Sequence, residues 1–275
     1  MNYSSSTIHF SKQKSSIFEN HRLQLCPVEQ WISDESLKEI YTSDYWNDIE
    51  EERKKELWIA DGDYSQCEAY LSRSGLLNQW IFVEKYINEN KKSKLKVVDL
   101  AAGIGWTSAL FSRLSSIEEV YAVEISRHRI DELFPYAVDM LDGKPEKIKR
   151  IIGSFYNLLI QDQAIDIVFM SQAFHHAERP LELIFEVDRI LSEQGVIVIM
   201  GEHYVSLFKQ LLGVLRMLVK DKRFEINFYK LFPPHKVLGD HYYRLSDYYL
   251  FFQLLGYTII HKKIGDSLVI IASKN

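Results

Sequence analysis

The sequence predicts an α/β fold with a doubly wound, mostly parallel sheet of seven strands that closes with a C-terminal antiparallel hairpin. Three observations carry that expectation. From residue 94 onward, short apolar runs alternate with helical patterns, and runs apolar throughout belong to parallel strands covered on both faces. The first run leads through Asp99, Gly103 and Gly105 straight into a helix, a strand–glycine turn–helix unit of the kind that binds nucleotides. The last two strands, Tyr257–Lys262 and Ser267–Ala272, are joined by a tight turn at Gly265-Asp266.

The elements follow in order. Residues 1 to about 16 carry Ser4, Ser5, Ser6, Ser11, Ser15 and Ser16 among polar neighbours and read as a mobile tail. Ser33-Asp34-Glu35 caps a short helix through Ile40. Asp48 to Trp58 reads as a charged helix with Glu50–Lys54 and Glu51–Lys55 one turn apart. Gly75 to Asn90 is amphipathic, with Leu76, Trp80, Val83 and Ile87 on one stripe, and Lys91, Lys92, Lys94 and Lys96 form a solvated link. Residues 1–93 are therefore expected to be a tail and helical extension serving as a cap or a dimer surface. Residues 94–275 form the main domain, with an insert at 203–252.

Within that domain the predicted strands are Lys96–Leu100, Glu119–Glu124, Ile148–Ile152, Ile165–Met170 and Val196–Met200. The helix after the first strand runs from Trp106 to about Ser115, with Trp106 as a packing residue. Ser126 caps the next helix, in which Pro135 marks a kink. Pro180 starts a helix to Leu191 that Gln194-Gly195 ends. The insert holds a Leu/Val-rich helix over 203–219, then an aromatic-crowded stretch over 224–252 that reads as core under a lid or as an acceptor pocket. Within it, Phe232-Pro233-Pro234-His235 breaks the helical pattern.

Composition narrows the function. A net charge of −5 disfavours a general nucleic-acid binder. Cys26 and Cys67 lie 41 positions apart without metal or redox-motif spacing, which suits reduced thiols in the cytoplasm. No stretch reads as an export signal, and no run approaches the roughly 18 apolar residues of a membrane span. The expectation is a cytoplasmic protein that meets no membrane and no nucleic acid, with a homodimer as one option.

The chemistry gathers at the carboxyl ends of the strands, where open α/β sheets place their ligands. Gly103 and Gly105 let backbone approach a ligand. Glu124, 25 positions after Asp99, ends the second strand and can accept both hydroxyls of a ribose. His175 and His176 follow the fourth strand, Glu202 and His203 follow the fifth, and His241 and Tyr242 lie in the insert. Histidine titrates near neutrality and suits proton transfer, so His175, His176 and His203 are candidate bases. The His175–His176 pair reads equally as a packing feature beneath a ligand. Glu202, His203 and His241 lack metal-motif spacing, and no metal site is assigned.

Asp99-Leu100-Ala101-Ala102-Gly103-Ile104-Gly105 resembles the first motif of class I S-adenosylmethionine-dependent methyltransferases, acidic-x-Gly-x-Gly-x-Gly, with Ala101 in place of the first glycine. Ser171-Gln172-Ala173-Phe174-His175-His176-Ala177-Glu178-Arg179-Pro180, followed by Glu186 to Gly195, is similar to the type-11 branch of that family. The resemblance covers residues 95–200, and 255–273 by arrangement. It implies a Rossmann-like fold, S-adenosyl-L-methionine as cofactor, and a cofactor site drawn from Asp99, Ala101, Gly103, Gly105, Glu124, Ser154, Phe155 and Ser171. At Ala101 it implies either φ < 0 or an altered loop. Ser154 stands where the family usually has an acidic residue near the adenine. Asp99 beside the turn suits a sulfonium cation better than the pyrophosphate of NAD, and Glu124→Ala is expected to weaken cofactor binding without unfolding the chain.

The implied activity is methyl transfer to an oxygen or nitrogen of a small-molecule or sugar- or peptide-derived acceptor. Two other readings stay open on the sequence: an NAD(P)-dependent oxidoreductase using the same turn, and a methyltransferase-like subunit that binds cofactor without turnover.

Overall fold

The computed structural model describes residues 8, 10, 25–41, 64–90, 94–220, 222–235 and 239–274. The expected charged helix at 48–58, almost all of the serine-rich tail, and Lys91 and Lys92 of the basic link lie outside the described residues.

One eight-stranded sheet organises the chain. Its strands are β1 (Glu29–Gln30), β2 (Leu95–Leu100), β3 (Ile117–Glu124), β4 (Ile148–Ile152), β5 (Ile165–Ser171), β6 (Leu191–Glu202), β7 (Tyr257–Ile264) and β8 (Ser267–Lys274). The order across the sheet is β1-β4-β3-β2-β5-β6-β8-β7. Strands β1 to β6 pair in parallel, whereas β8 runs antiparallel between β6 and β7. The order reverses at β2, so the crevice between the β2 and β3 ends and the β5 end is the switch point where ligands bind. The hairpin turns at Gly265, whose φ of 65° is left-handed.

The strand count departs from the expected seven. The added strand, β1, is two residues long and pairs with β4, with Glu29 opposite Ile151 and Gln30 opposite Ile152. It is too short and too polar to give a strand signal of its own. Its backbone supplies the pairing, so side-chain pattern does not report it.

Helices cover both faces. On one face, Trp80 of α3 (Leu76–Asn90) meets Phe111 of α4 (Trp106–Arg113) edge-on at 4.7 Å, and Phe111 meets Phe169 of β5 at 5.0 Å. The predicted stripe of Leu76, Trp80, Val83 and Ile87 is wholly buried there. Gln79 of α3 donates to Ser267 Oγ at 2.8 Å and accepts from Gly201 N at 2.7 Å, which ties α3 to β6 and β8. On the other face lies α6 (Pro180–Ile190), with Leu183, Ile184, Val187 and Ile190 buried. Around Phe174 gather Tyr243, and from α9 (Leu245–Gln253) Tyr248, Phe251 and Phe252. Much of the aromatic insert is thus core for this second face.

Two local readings change. Gln194-Gly195 does not stop α6: the helix ends at Ile190, and β6 begins at once with Leu191 opposite Ile165. Gly195 is needed there for packing, because a Cβ would sit 2.5 Å from Leu191 Cγ. The helix after β3 opens as a π-helical stretch, His128–Leu133, before α5 (Phe134–Met140). Pro135 falls in the first turn of α5, where its missing N–H is harmless, so the predicted kink is a change of helix type. The smaller helices are α1 (Asp34–Tyr41), α2 (Ser65–Arg73), α7 (Leu207–Lys220) and α8 (Phe228–Leu231).

Candidate active site at the strand ends

A cleft of about 950 Å³ opens at the switch point. Its walls include Ala101, Gly103, Trp106, Glu124, Ser154 and Phe155 on the β2–β4 side. Ser171, Gln172, His176 and Arg179 line the β5 side. Ile40 of α1 and Cys67, Tyr70 and Leu71 of α2 add an apolar wall, and Gly239 comes from the insert.

The glycine loop is built on backbone geometry. Ala101 has φ 53°, Gly103 57° and Gly105 83°. The option of φ < 0 at Ala101 is therefore overturned: Ala101 holds the left-handed conformation that a glycine would adopt without strain. The two glycines serve different ends. No atom lies within 4 Å of a Cβ built on Gly103, so bare backbone faces the cleft. A Cβ on Gly105 would lie 2.1 Å from the Phe134 ring. Gly105 thus lets α4 close against α5, and it is not on the cleft wall.

Asp99 is fully buried beneath this loop and also off the cleft wall. Its Oδ2 accepts from the Thr107 hydroxyl at 2.7 Å and the Ser108 hydroxyl at 2.6 Å, while Oδ1 has no hydrogen-bond partner. Asp99 therefore joins the end of β2 to the first turn of α4, using side-chain hydroxyls that its sequence position did not suggest. Burial raises its pKa to about 6, against the lowering effect of the two hydroxyls. Asp99 thus lies beneath the cleft, and its observed role is to tie β2 to α4.

Glu124 lines the cleft and is 3% exposed, which excludes a solvated strand end. Its Oε2 accepts from Gly103 N at 2.7 Å. Its Oε1 accepts from Ile125 N at 2.9 Å and Ser126 N at 2.8 Å. One carboxylate thus holds the glycine loop to the β3 end. Ser154 Oγ accepts from Tyr156 N at 3.2 Å, and Phe155 packs edge-on to Tyr156 at 4.7 Å.

The three candidate histidines separate. His176 lines the cleft, with Nδ1 3.1 Å from Asp240 Oδ1. Burial, and next the charge of His175, lower its pKa, which favours the uncharged imidazole. His175 lies behind it, ring centroids 4.2 Å apart, with Nδ1 3.0 Å from Glu202 Oε2. Burial pulls the His175 pKa down, but the Glu202 carboxylate outweighs it and the net shift is upward. Glu202 is fully buried, and its Oε1 accepts from Ala173 N and Phe174 N at 3.0 Å. It therefore fixes the turn that presents both histidines. His203 is exposed and its ring lies 6.1 Å from that of His175, outside the cleft wall. The backbone N of His241 donates to His175 O at 2.7 Å, so its contribution to this region is a main-chain tie.

Several residues went unpredicted. Asp240 sits in the insert, far from His176 in sequence and without a motif of its own. Arg179 lies over the Tyr156 ring at 4.4 Å, and Tyr70 comes from α2. Trp106, expected only to pack, is both buried and part of the wall. Among the described residues, His175, His176 and Asp240 each bring a potential metal-ligand atom within 4.8 Å of the others, a grouping no spacing announced.

With this geometry in view, known proteins supply a likeness. Residues 98–199 match the sequence model of the methyltransferase domain family. Over this stretch the chain is similar to the S-adenosyl-L-methionine-dependent methyltransferases. No curated protein matches the chain. Two solved structures are similar to this chain in fold. The PH0226 protein of Pyrococcus horikoshii OT3 is 23% identical over 75% of this chain and 91% of its own, with a TM-score of 0.53. A chain from the complex between the Trm112 methyltransferase activator and the putative methyltransferase of Haloferax volcanii is 14% identical over 79% of this chain and 96% of its own, with a TM-score of 0.54. The cleft has room for such a cofactor at a point independent of these likenesses: Gly103 offers bare backbone to it, where a side chain would project.

Proposed function

We propose that the chain transfers the methyl group of S-adenosylmethionine to an oxygen or nitrogen atom of a small acceptor, with His176 as the base that removes the acceptor's proton. The observation that carries this reading is the place of His176. Its imidazole stands on the wall of the same cleft as Gly103 and Glu124, with Asp240 Oδ1 3.1 Å from its Nδ1.

The cofactor, when bound, supplies a methyl group made electrophilic by its sulfonium. Gly103 and Glu124 would hold the nucleoside end, Glu124 by accepting from the ribose hydroxyls, and Phe155 would offer an apolar face to the adenine. On the acceptor side, the His176 imidazole takes the proton from the attacking O–H or N–H, with Asp240 Oδ1 3.1 Å from its Nδ1 but not hydrogen-bonded to it. Glu202 and His175 act through His176: Glu202 fixes the turn, and His175 adds to the burial that lowers the His176 pKa. Apolar walls from α1 and α2 exclude water from the reacting atoms. The cleft volume suits a cofactor and a small acceptor together, which supports a sugar, amine or hydroxy-acid acceptor over a polymer.

The test is turnover of S-adenosylmethionine to S-adenosylhomocysteine with the full chain and a panel of such acceptors. His176→Ala is expected to lower kcat by about 10²–10⁴-fold with cofactor affinity unchanged. Asp240→Asn is expected to lower kcat less and to shift the acid limb of the pH profile. Tight cofactor binding with no turnover on any acceptor class would sink the proposed activity in favour of a non-catalytic subunit. Full activity and an unchanged pH profile in His176→Ala would sink the base assignment.

A further inference from the structure

The helix α7 (Leu207–Lys220) is turned the wrong way for a helix of a globular domain. Its sequence sets Leu207, Phe208, Leu211, Leu212, Leu215, Leu218 and Val219 on one broad stripe, and such a stripe normally faces the core. Here not one residue of the helix is buried. Leu207 is 79% exposed, Phe208 68%, Leu211 63% and Val219 76%. The side that meets the protein is narrow: Gln210, Gly213, Val214 and Met217 are half-buried, and Gly213 packs against the Phe232 ring. Beyond the helix, Phe224, Ile226 and Tyr229 are also largely exposed. An apolar surface of this extent has a partner.

Charge selects the partner. The helix carries no acidic residue, and its cations Lys209 and Arg216 lie beside the apolar stripe with Lys220 at its end. Lys222 and Arg223 follow. Residues 207–223 thus hold five cationic residues against the single acid Asp221, in a chain whose net charge is −5. A second copy docked on this face about a two-fold axis would set like cations against each other. An anionic bilayer surface meets both features, with headgroups for the cations and an acyl boundary for the leucines. The helix is about 21 Å long at 1.5 Å per residue, and among the described residues no helix is long and apolar enough to cross a membrane. Its geometry suits lying in the interface.

We propose that α7 and the segment through Tyr229 dock the protein on an anionic lipid surface, with the exposed leucine stripe of α7 sunk to the depth of the acyl boundary. The sequence expectation of no membrane contact rested on the lack of a spanning run, and a helix lying in the interface needs none.

The experiment is co-sedimentation of the full chain with vesicles of phosphatidylcholine alone and of phosphatidylcholine with a third phosphatidylglycerol. Binding is expected to the second and far less to the first, and to weaken as salt rises. Arg216→Ala is expected to weaken partitioning about fivefold, as for loss of one interfacial cation. The double substitution Leu211→Asp, Leu215→Asp is expected to abolish binding. Both leucines are exposed, so its thermal transition and its affinity for S-adenosylmethionine stay unchanged. No binding to anionic vesicles would overturn the proposal, as would undiminished binding by the double variant. A concentration-dependent dimer that the double variant dissolves would also overturn it, since a second copy would then cover the stripe.

Discussion

Removing the Glu124 carboxylate tests the site and the fold at once, and the structure changes what should be expected of it. The sequence presents Glu124 as a ligand contact at a strand end, removable without unfolding the chain. The structure shows its carboxylate accepting from three backbone N–H groups, those of Gly103, Ile125 and Ser126, in a position 3% exposed. Glu124→Ala leaves all three donors without a partner. At about 1–3 kcal/mol for each unsatisfied buried group, with some relief from water in the cleft, the cost is about 3–6 kcal/mol. That is a large share of the roughly 5–15 kcal/mol that stabilises a domain, so a loss of cofactor affinity in this variant comes with a loss of stability. Glu124→Gln is the sharper probe. Its amide oxygen keeps the bonds to Ile125 and Ser126, and its NH₂ turns a donor toward Gly103 N–H. One charge-assisted bond is lost, for about 1.5–3 kcal/mol. Weaker acceptance from a ribose diol then lowers S-adenosylmethionine affinity by about tenfold or more. Urea unfolding followed by calorimetric titration separates the two effects. The reasoning is refuted if Ala costs no more stability than Gln, and the ribose assignment is refuted if Gln binds cofactor as tightly as the parent chain.

Two further predictions concern the glycine loop. Gly103→Ala and Gly105→Ala share the left-handed strain, about 1–2 kcal/mol, but only Gly105→Ala drives a Cβ into Phe134. Thermal unfolding should therefore show the larger loss for Gly105→Ala, whereas titration should show the larger loss of cofactor affinity per unit of stability for Gly103→Ala; the reverse order would refute the division of labour. Asp99 predicts a pH effect. Its raised folded pKa, about 6, means that its favourable contribution is fully present below the unfolded value near 3.8 and fades as pH rises to about 6. Relative to Asp99→Asn, which needs no charge buried and still accepts from Thr107 and Ser108, the parent chain should lose about 3 kcal/mol across that window. Parallel stability curves for the two proteins between pH 4 and 7 would contradict a buried, perturbed carboxyl.

Much of the fold was legible because its signals are local. Strands β2 to β6 announce themselves by apolar runs, α3 by its stripe, and the hairpin by Gly265-Asp266. Where a feature depends on the partner strand, the pattern is silent. The strand β1 exists because β4 leaves an edge for it, and the end of α6 is set by the pairing of Leu191 with Ile165, which overrides the helix-stop signal of Gln194-Gly195. Ala101 shows the same precedence: the loop demands φ 53°, and the residue accepts it. The aromatics of the insert were visible, but their division between core and surface was not, because residue type does not say which face an element turns inward.

The sequence by itself determined the order of strands and helices, the glycine turn after β2, and the acidic and histidine positions at the strand ends, since these follow from chain spacing and backbone freedom. Only the tertiary structure decided which of those groups reach the cleft. It sent Asp99 beneath the loop, placed His203 outside, brought Asp240 across from the insert to His176, and left the apolar stripe of α7 facing outward. The physical reason is that burial, and the pairing of groups distant in sequence, are properties of packed surfaces, and residue spacing carries no record of which surfaces will meet.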